Sequence, residues 1–584
     1  MSHVRPSRCF SLMLLMTLAC SAAAFAQSPV DPGKLPSRTM LYLLWRGTPS
    51  GDVRKDNSLL ALWDDPQFTT VRASFMDSFL YDSKTQKSKP ALSHEDFEKY
   101  VSLLDNPFLI GYVRQPESHA AAAKSPASTT AAAAAPSWNG MFFIYDRSGK
   151  EELVSKAVLQ MRSTEKDIPK VSELTVAGVT ALKIERKSGI TYWAEFGKYA
   201  VSANEMAVFE DVLNVLNGKA GGSTLSQSSA YQEAKPLLNG GVLEFFLGIP
   251  SAEQIAANAS NPMAVQMKPL MSALKLDAVH SLAGRVSMEG TKTRMTGAIL
   301  GDTAPGSLFD FFADGQANPV SMSYLSPDTV YYGESQINLL GIYNILKRAF
   351  TSTGGSQAQT VNPLEKMAET RLGMPLPDAL GLVTGEVAWI ETSPTLDENQ
   401  KVYLLGIRNK PEALKLTRSL MGDQITSERN EGDATYMKIS LRGGQSSAGL
   451  AQWNFYYLAM TPNLLFGSSK SDTLHKYAAQ PPASPDATQL KNLLAVRGQF
   501  PEKLNGFSYF DFQKLDWMGL RAKWVADANK AALGAKSTEA ANSQKKIADW
   551  LGQVNPEVFS RHLHTLTGAS WKDAKGVHFD EWLD

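Results

Sequence analysis

At 584 residues the chain is too long for one ordinary hydrophobic core, so two or more domains are expected. Hydrophobic residues at 43% and charged residues at 20% describe a globular protein and exclude a disordered one. Lys plus Arg equals Asp plus Glu at 58 each, so no basic excess exists to neutralise phosphates and nucleic-acid binding has no electrostatic support.

The first 26 residues read as a secretory leader. Arg5 and Arg8 supply a positive start, "CFSLMLLMTLAC" a short apolar core, and Ala24 and Ala26 the small residues before a cut between Ala26 and Gln27. Cys20 would be the lipidated residue of a lipoprotein, but Thr17 stands where a lipobox carries an aliphatic side chain, so cleavage without lipid anchoring is expected. Cys9 and Cys20 are the only cysteines and both leave with the leader. A mature chain without cysteine has no disulfide, thiol nucleophile or thiolate ligand. No later stretch approaches the ~18 uninterrupted apolar residues of a membrane span. The expectation is an exported protein, periplasmic or extracellular.

The mature chain then repeats itself. "KLPSRTMLYLLW" from Lys34 returns as "YLSPDTVYYGES" from Tyr324, with Leu35 on Leu325, Thr39 on Thr329 and Tyr42 on Tyr332. Further along, "FLIGYVRQ" near Gly111 meets "VTGEVAWIE" near Gly385. A strand, turn and helix over Met141 to Met161 meet a second set over Val402 to Met421. "GVTALKIE" from Gly178 meets "GDATYMKIS" from Gly432, and Tyr192 falls on Tyr457. "LNGGVLEFF" at Leu238 meets "LNGFSYFDF" at Leu504, and His280 falls on His564. Each match is short, but the order is the same in both halves. Length differences fall in polar loops: an Ala-rich flexible loop at 117–137 in the first half and Gly443 to Gln452 in the second.

Alternating short strands joined by tight turns predict antiparallel sheets. Amphipathic helices lie between them. In "EMAVFEDVLNVLNG", Val208, Val212, Leu213 and Leu216 share one face and Gly218 is the stop. The predicted fold is α+β: two tandem copies of an antiparallel sheet with helices packed on one face. The boundaries are a leader at 1–26, a first repeat at 27–302, a connecting seam at 303–324 and a second repeat at 325–584.

Candidate chemistry concentrates at the C-terminus. His562, His564 and His578, with Asp580 and Glu581, would converge if their segments form a hairpin, and an H-x-H on a strand sends both imidazoles to one face. Against a metal site, His564 matches His280, which has no second histidine beside it, and "PEVFSRHLH" also reads as a helix, on which i and i+2 diverge. Serine chemistry lacks its signatures. "STEK", "SALK" and "SQKK" fit S-x-x-K without the companion boxes, and no G-x-S-x-G elbow occurs. "GKAGGS" follows a helix and lacks the phosphate-loop pattern, and "HEDFEKY" puts Glu98 where a zinc helix needs its second histidine. No catalytic residue and no cofactor is therefore assigned. Two helical stretches, Phe512 to Leu533 and Ser543 to Val554, carry Trp517, Trp524 and Trp550 on apolar stripes. Those stripes pack on the second sheet or form a face for an apolar ligand or a partner.

"LPSRTMLYLLWRG", "DDPQF" and "LPDALGLVTGEVAWIE" resemble an exported bacterial family catalogued as a domain of unknown function. Its strand, G-E-V-A run and serine-containing strand end correspond to Leu35 to Tyr42, Gly385 to Ala388 and Leu464 to Ser469. The first copy departs from it, with "FLIGYVR" in place of the G-E-V-A run. The resemblance implies export and the α+β repeat and carries no catalytic residues. The functional expectation is an exported binding or structural protein of the bacterial envelope. Its alternatives are a carrier of a lipid-like or other apolar ligand, and a metal-dependent hydrolase using the three histidines.

Overall fold

The computed structural model describes residues 30–79, 99–114, 140–156, 170–186, 189–219, 222–250, 272, 275–352, 365–366, 369–440, 456–479, 488–535 and 537–584. The leader with both cysteines, the Ala-rich loop 117–137, "STEK" and Gly443 to Gln452 lie outside the described residues. Two compact units divide the chain: Met1–Pro250 with His280–Leu300 and the terminal Asp584, and Ser251–Val279 with Gly301–Leu583.

Unit 1 is built on strands β1 (Thr39–Trp45), β2 (Phe108–Val113), β3 (Met141–Asp146), β4 (Lys170–Val176), β5 (Val179–Arg186), β6 (Gly189–Phe196), β7 (Tyr199–Ala203), β8 (Leu243–Gly248), β9 (Val279–Glu289) and β10 (Lys292–Gly301). Hydrogen bonding orders them β4-β5-β6-β7-β3-β2-β1-β8-β9-β10. Helices α1 (Met206–Leu216) and α2 (Ser229–Leu238) follow β7 and precede β8. Val208, Phe209, Val212 and Leu213 of α1 are buried against Ile144, Ala194 and Val201 of the strands, so the predicted apolar stripe is the packing face. Gly218 then stands at φ +69°, a left-handed backbone that glycine adopts without a Cβ clash, and the helix stops there.

Unit 2 contains β11 (Tyr331–Gln336), β12 (Val383–Glu391), β13 (Lys401–Ile407), β14 (Ile425–Glu431), β15 (Ala434–Ile439), β16 (Tyr457–Met460), β17 (Leu464–Ser468), β18 (Gly506–Asp511), β19 (Thr565–Asp573) and β20 (Gly576–Leu583). Their order is β14-β15-β16-β17-β13-β12-β11-β18-β19-β20. Here α3 (Ser471–Ala478) follows β17 and α4 (Thr488–Arg497) precedes β18. Leu474 and Tyr477 of α3 and Leu493 of α4 join Ile390, Leu404 and Phe466 in one core. Each unit is thus an α+β layer on an antiparallel sheet.

A row of paired residues can be followed across each sheet. One row across unit 1 runs Ala194, Val201, Ile144, Leu109, Leu44, Glu244. The row in the same place in unit 2 runs Ala459, Phe466, Leu404, Ala388, Glu334, Phe507. Tyr42 and Tyr332 hold the same site two residues earlier on β1 and β11, as the sequence match expects. The match of Gly111 to Gly385 does not follow the register. Gly111 lies between Tyr42 and Phe142, where a Cβ would meet the Phe142 ring at 2.3 Å. Gly385 instead sits at φ +97° in a bulge of β12, and Ile390 stands opposite Tyr332. Both glycines interrupt an apolar strand, one for a ring and one for a turn of the backbone, so sequence alone superposes them.

Residues 303–324 belong to unit 2. Phe309 is buried there, Met322 and Tyr324 enter the core, and Gln316 bridges Leu504.

Candidate functional site

The three C-terminal histidines sit on different elements. His562 ends the short helix Glu557–His562, and His564 is exposed just before β19. His578 lies within β20, 3.1 Å by its Nε2 from Asp573 Oδ2 and stacked on Trp571 at 5.4 Å. Its cross-strand neighbour is that same Trp571, so its ring closes the β19–β20 hairpin. Asp580 is buried opposite Ala569, and burial pushes the Glu581 carboxyl up. Among the described residues no group of three or more His, Cys, Asp and Glu is placed to hold a metal ion.

The tryptophans belong to a helical hairpin, α5 (Trp517–Leu533) and α6 (Thr538–Gln553), whose helices pack on one another. Asp516 caps the first, accepting from Gly519 N, and Ser537 caps the second, accepting from Ala540 N. Trp550 is buried. Trp517 lies between Phe512 and Phe559, with centroids 6.2 and 5.3 Å away, and Trp524 is half-buried. Lys523 Nζ donates to the carbonyls of Thr395 and Leu396 at 3.1 and 2.7 Å, tying α5 to the turn after β12. Packing inside the hairpin and at its root accounts for two of the three indoles.

An open groove of about 540 Å³ lies on unit 2 where β15, β16 and the start of α3 meet, lined by Lys438, Tyr456, Tyr457, Lys470, Ser471 and Asp472. Lys438 Nζ stands 5.9 Å from the Tyr457 ring centre. The lining mixes two lysines, serine hydroxyls and Asp472 with the apolar surface of Ile439 and two tyrosine rings. It directly follows "LLFGSS", the serine-containing strand end picked out in the sequence.

The densest polar constellation is buried and was not singled out from the sequence. On β11, Tyr332 donates its hydroxyl hydrogen to Glu334 Oε2 at 2.7 Å and lies 2.8 Å from Ser321 Oγ. Arg497, closing α4, places Nη1 3.3 Å from Glu334 Oε1 and donates from Nη2 to the Gln316 carbonyl at 2.6 Å. Glu386 on β12 accepts from the backbone N–H of Ser321 at 2.7 Å and of Val320 at 3.2 Å. All five side chains are at most 5% exposed. Burial pushes the Glu334 carboxyl up to about 7, with Arg497 and the Tyr332 hydroxyl pulling the other way and Glu386 adding repulsion.

Unit 1 carries a sparser version. Glu244 is buried on β8, one strand over from the row position of Glu334, and its Oε1 accepts from Arg46 Nη2 at 2.5 Å. Burial raises its carboxyl and Arg46 opposes the rise. Tyr42 stacks on Phe246 at 5.8 Å above it. The signal for these sites was one charge inside an otherwise apolar strand, as in "VLEFF", "YYGES" and "GEVAW". No family model, no curated protein and no solved structure matches the chain.

Proposed function

We propose that the protein is an exported binding or structural protein of the bacterial envelope, without a catalytic site, and that one α+β unit is used twice in tandem. The family of exported proteins that the sequence resembles is part of that proposal. The observation that carries it is the pair of equivalent rows. At matched positions both sheets hold core side chains, and the one carboxylate each row contains is turned inward to an arginine of its own unit. A duplicated enzyme would be expected to keep polar groups facing a shared opening. What the two rows have in common supports packing instead.

Binding is favoured over a purely architectural role by the groove at Lys438, Tyr457 and Lys470. Its lysines and hydroxyls suit an anionic group, and the Ile439 and tyrosine surfaces beside them suit an apolar portion of the same ligand. Native mass spectrometry of the mature protein, purified from its own host's exported fraction, tests the reading. A small mass released on denaturation identifies a bound ligand, and its loss in Lys438→Ala/Lys470→Ala places it in the groove. A bare mass moves binding to protein partners, which crosslinking in the envelope would capture. An enzymatic activity of the purified protein abolished by a single Ser, His or carboxylate substitution would overturn the non-catalytic reading.

A further inference from the structure

The groove on unit 2 gathers charges that its neighbours leave unpaired. Lys438 on β15 stands directly opposite Tyr457 on β16, and Tyr457 opposite Ser468 on β17, from which the chain runs through Ser469 and Lys470 into α3. Charges on nearby β14 are engaged: Glu428 with Arg418 at 2.5 Å, and Arg429 with Glu431 at 3.0 Å. Lys438, Lys470 and Asp472, all exposed, make no ion pair among the described residues, and the hydroxyls of Ser440 and Ser471 meet no hydrogen-bond partner there. Ser469 differs, since its Oγ donates to Asn399 Oδ1 at 3.2 Å. Three charges of both signs and two free hydroxyls thus line one opening beside the Tyr457 ring.

A ligand that satisfies all of these groups brings negative charge for the lysines and hydrogen-bond donors for Asp472, because a carboxylate only accepts. An anionic amphiphile, a charged head on an alkyl chain, meets the lysines alone and carries its charge toward Asp472. A sugar ring supplies what is missing. Its hydroxyls donate to a carboxylate and exchange hydrogen bonds with serines, and its face of C–H groups lies on a tyrosine ring, whose negative π-face attracts their partial positive charge. We propose that this groove binds an anionic saccharide, with the acidic group at Lys438 and Lys470, ring hydroxyls at Asp472, Ser440 and Ser471, and the apolar ring face against tyrosine. The proposal rests on the groove being the binding site and names the class of its ligand. The volume of about 540 Å³ lies within the ~300–1,000 Å³ of small-ligand sites.

Calorimetric titration of the mature protein with three probes tests this: a galacturonic acid trimer, neutral maltotriose, and hexyl phosphate as an anion without hydroxyls on its chain. The trimer should bind at least about tenfold more tightly than maltotriose, and Lys438→Ala/Lys470→Ala should remove that preference. Asp472→Ala separates the ligand classes by sign. It should weaken the trimer about tenfold, through loss of hydrogen bonds to a charged group, and leave hexyl phosphate unchanged or tighter, through loss of a like charge. Galacturonic acid itself tells the source: equal binding of monomer and trimer assigns a free sugar acid and a tighter trimer assigns a polymer, and both sustain the class. Hexyl phosphate binding that needs the two lysines, with no trimer binding, would overturn the saccharide and leave the anionic groove standing. Binding of neither would remove the groove as well. Trimer affinity unchanged in Lys438→Ala/Lys470→Ala or in Asp472→Ala would also reject the proposal.

Discussion

Glu334 shows how much one charge inside a sheet shapes behaviour. Its carboxyl is raised from 4.5 to about 7 in the folded protein, so the native state binds a proton that the unfolded chain gives up. Folding is then most favoured by this group below 4.5. The contribution falls as pH rises through that window and is fully lost above about 7, a swing of about 3 kcal/mol. Urea titrations at several pH values should show this fall in the wild type and a flatter profile in Glu334→Gln. Tyr332→Phe removes the hydroxyl between Ser321 and Glu334 while keeping the ring against Phe507. It should cost about 1–3 kcal/mol, seen as a lower urea midpoint, because two buried polar atoms lose a partner.

At the scale of the element, the α5–α6 hairpin divides sharply along its length. Its root is tied by Lys523 and by Arg521, which donates to the Val554 carbonyl at 3.0 Å, and Trp550 fills its interior. Its tip carries Leu533, 90% exposed. Trp550→Ala should therefore cost about 3–5 kcal/mol by opening a cavity, whereas Leu533→Ala should stay within about 0.5 kcal/mol. Thermal unfolding followed by near-ultraviolet circular dichroism separates the two. Gly111 is a second element-level constraint. In Gly111→Val the new side chain collides with the Phe142 ring, and overpacking at the centre of the unit 1 sheet should cost about 1–3 kcal/mol.

For the whole molecule, the histidine placement yields a direct check. With His578 engaged by Asp573 and Trp571, and His562 and His564 on separate elements, replacing all three by alanine should leave the metal content of the purified protein unchanged by elemental analysis. A stoichiometric metal lost in the triple variant would restore the hydrolase alternative. Export is checked by N-terminal sequencing of the protein from the exported fraction, with Gln27 as the expected first residue.

Alternation of apolar residues and paired turns were enough to read strands, helices and the α+β class from the sequence, because side-chain period and backbone propensity act over a few residues. Tyr42 and Tyr332, Tyr192 and Tyr457, and His280 and His564 matched along the chain and fall at equivalent register positions. The tyrosine pairs lie at strand positions that packing constrains, whereas His280 and His564 are both exposed. Gly111 and Gly385 matched and do not, since a glycine's reason for being in a strand is the ring or bulge beside it. The same limit hid the buried cluster. Glu334, Glu386 and Arg497 are separated by up to 163 positions, the difference between 334 and 497, and each alone reads as a solvated charge. Only the pairing of β11 with β12, and the packing of α4 and residues 313–321 beside them, brings the three into one dry site. There burial raises the Glu334 carboxyl, with the Arg497 guanidinium opposing the rise. Local periodicity belongs to the sequence; the cost of a buried charge depends on what surrounds it, and the tertiary structure decides that.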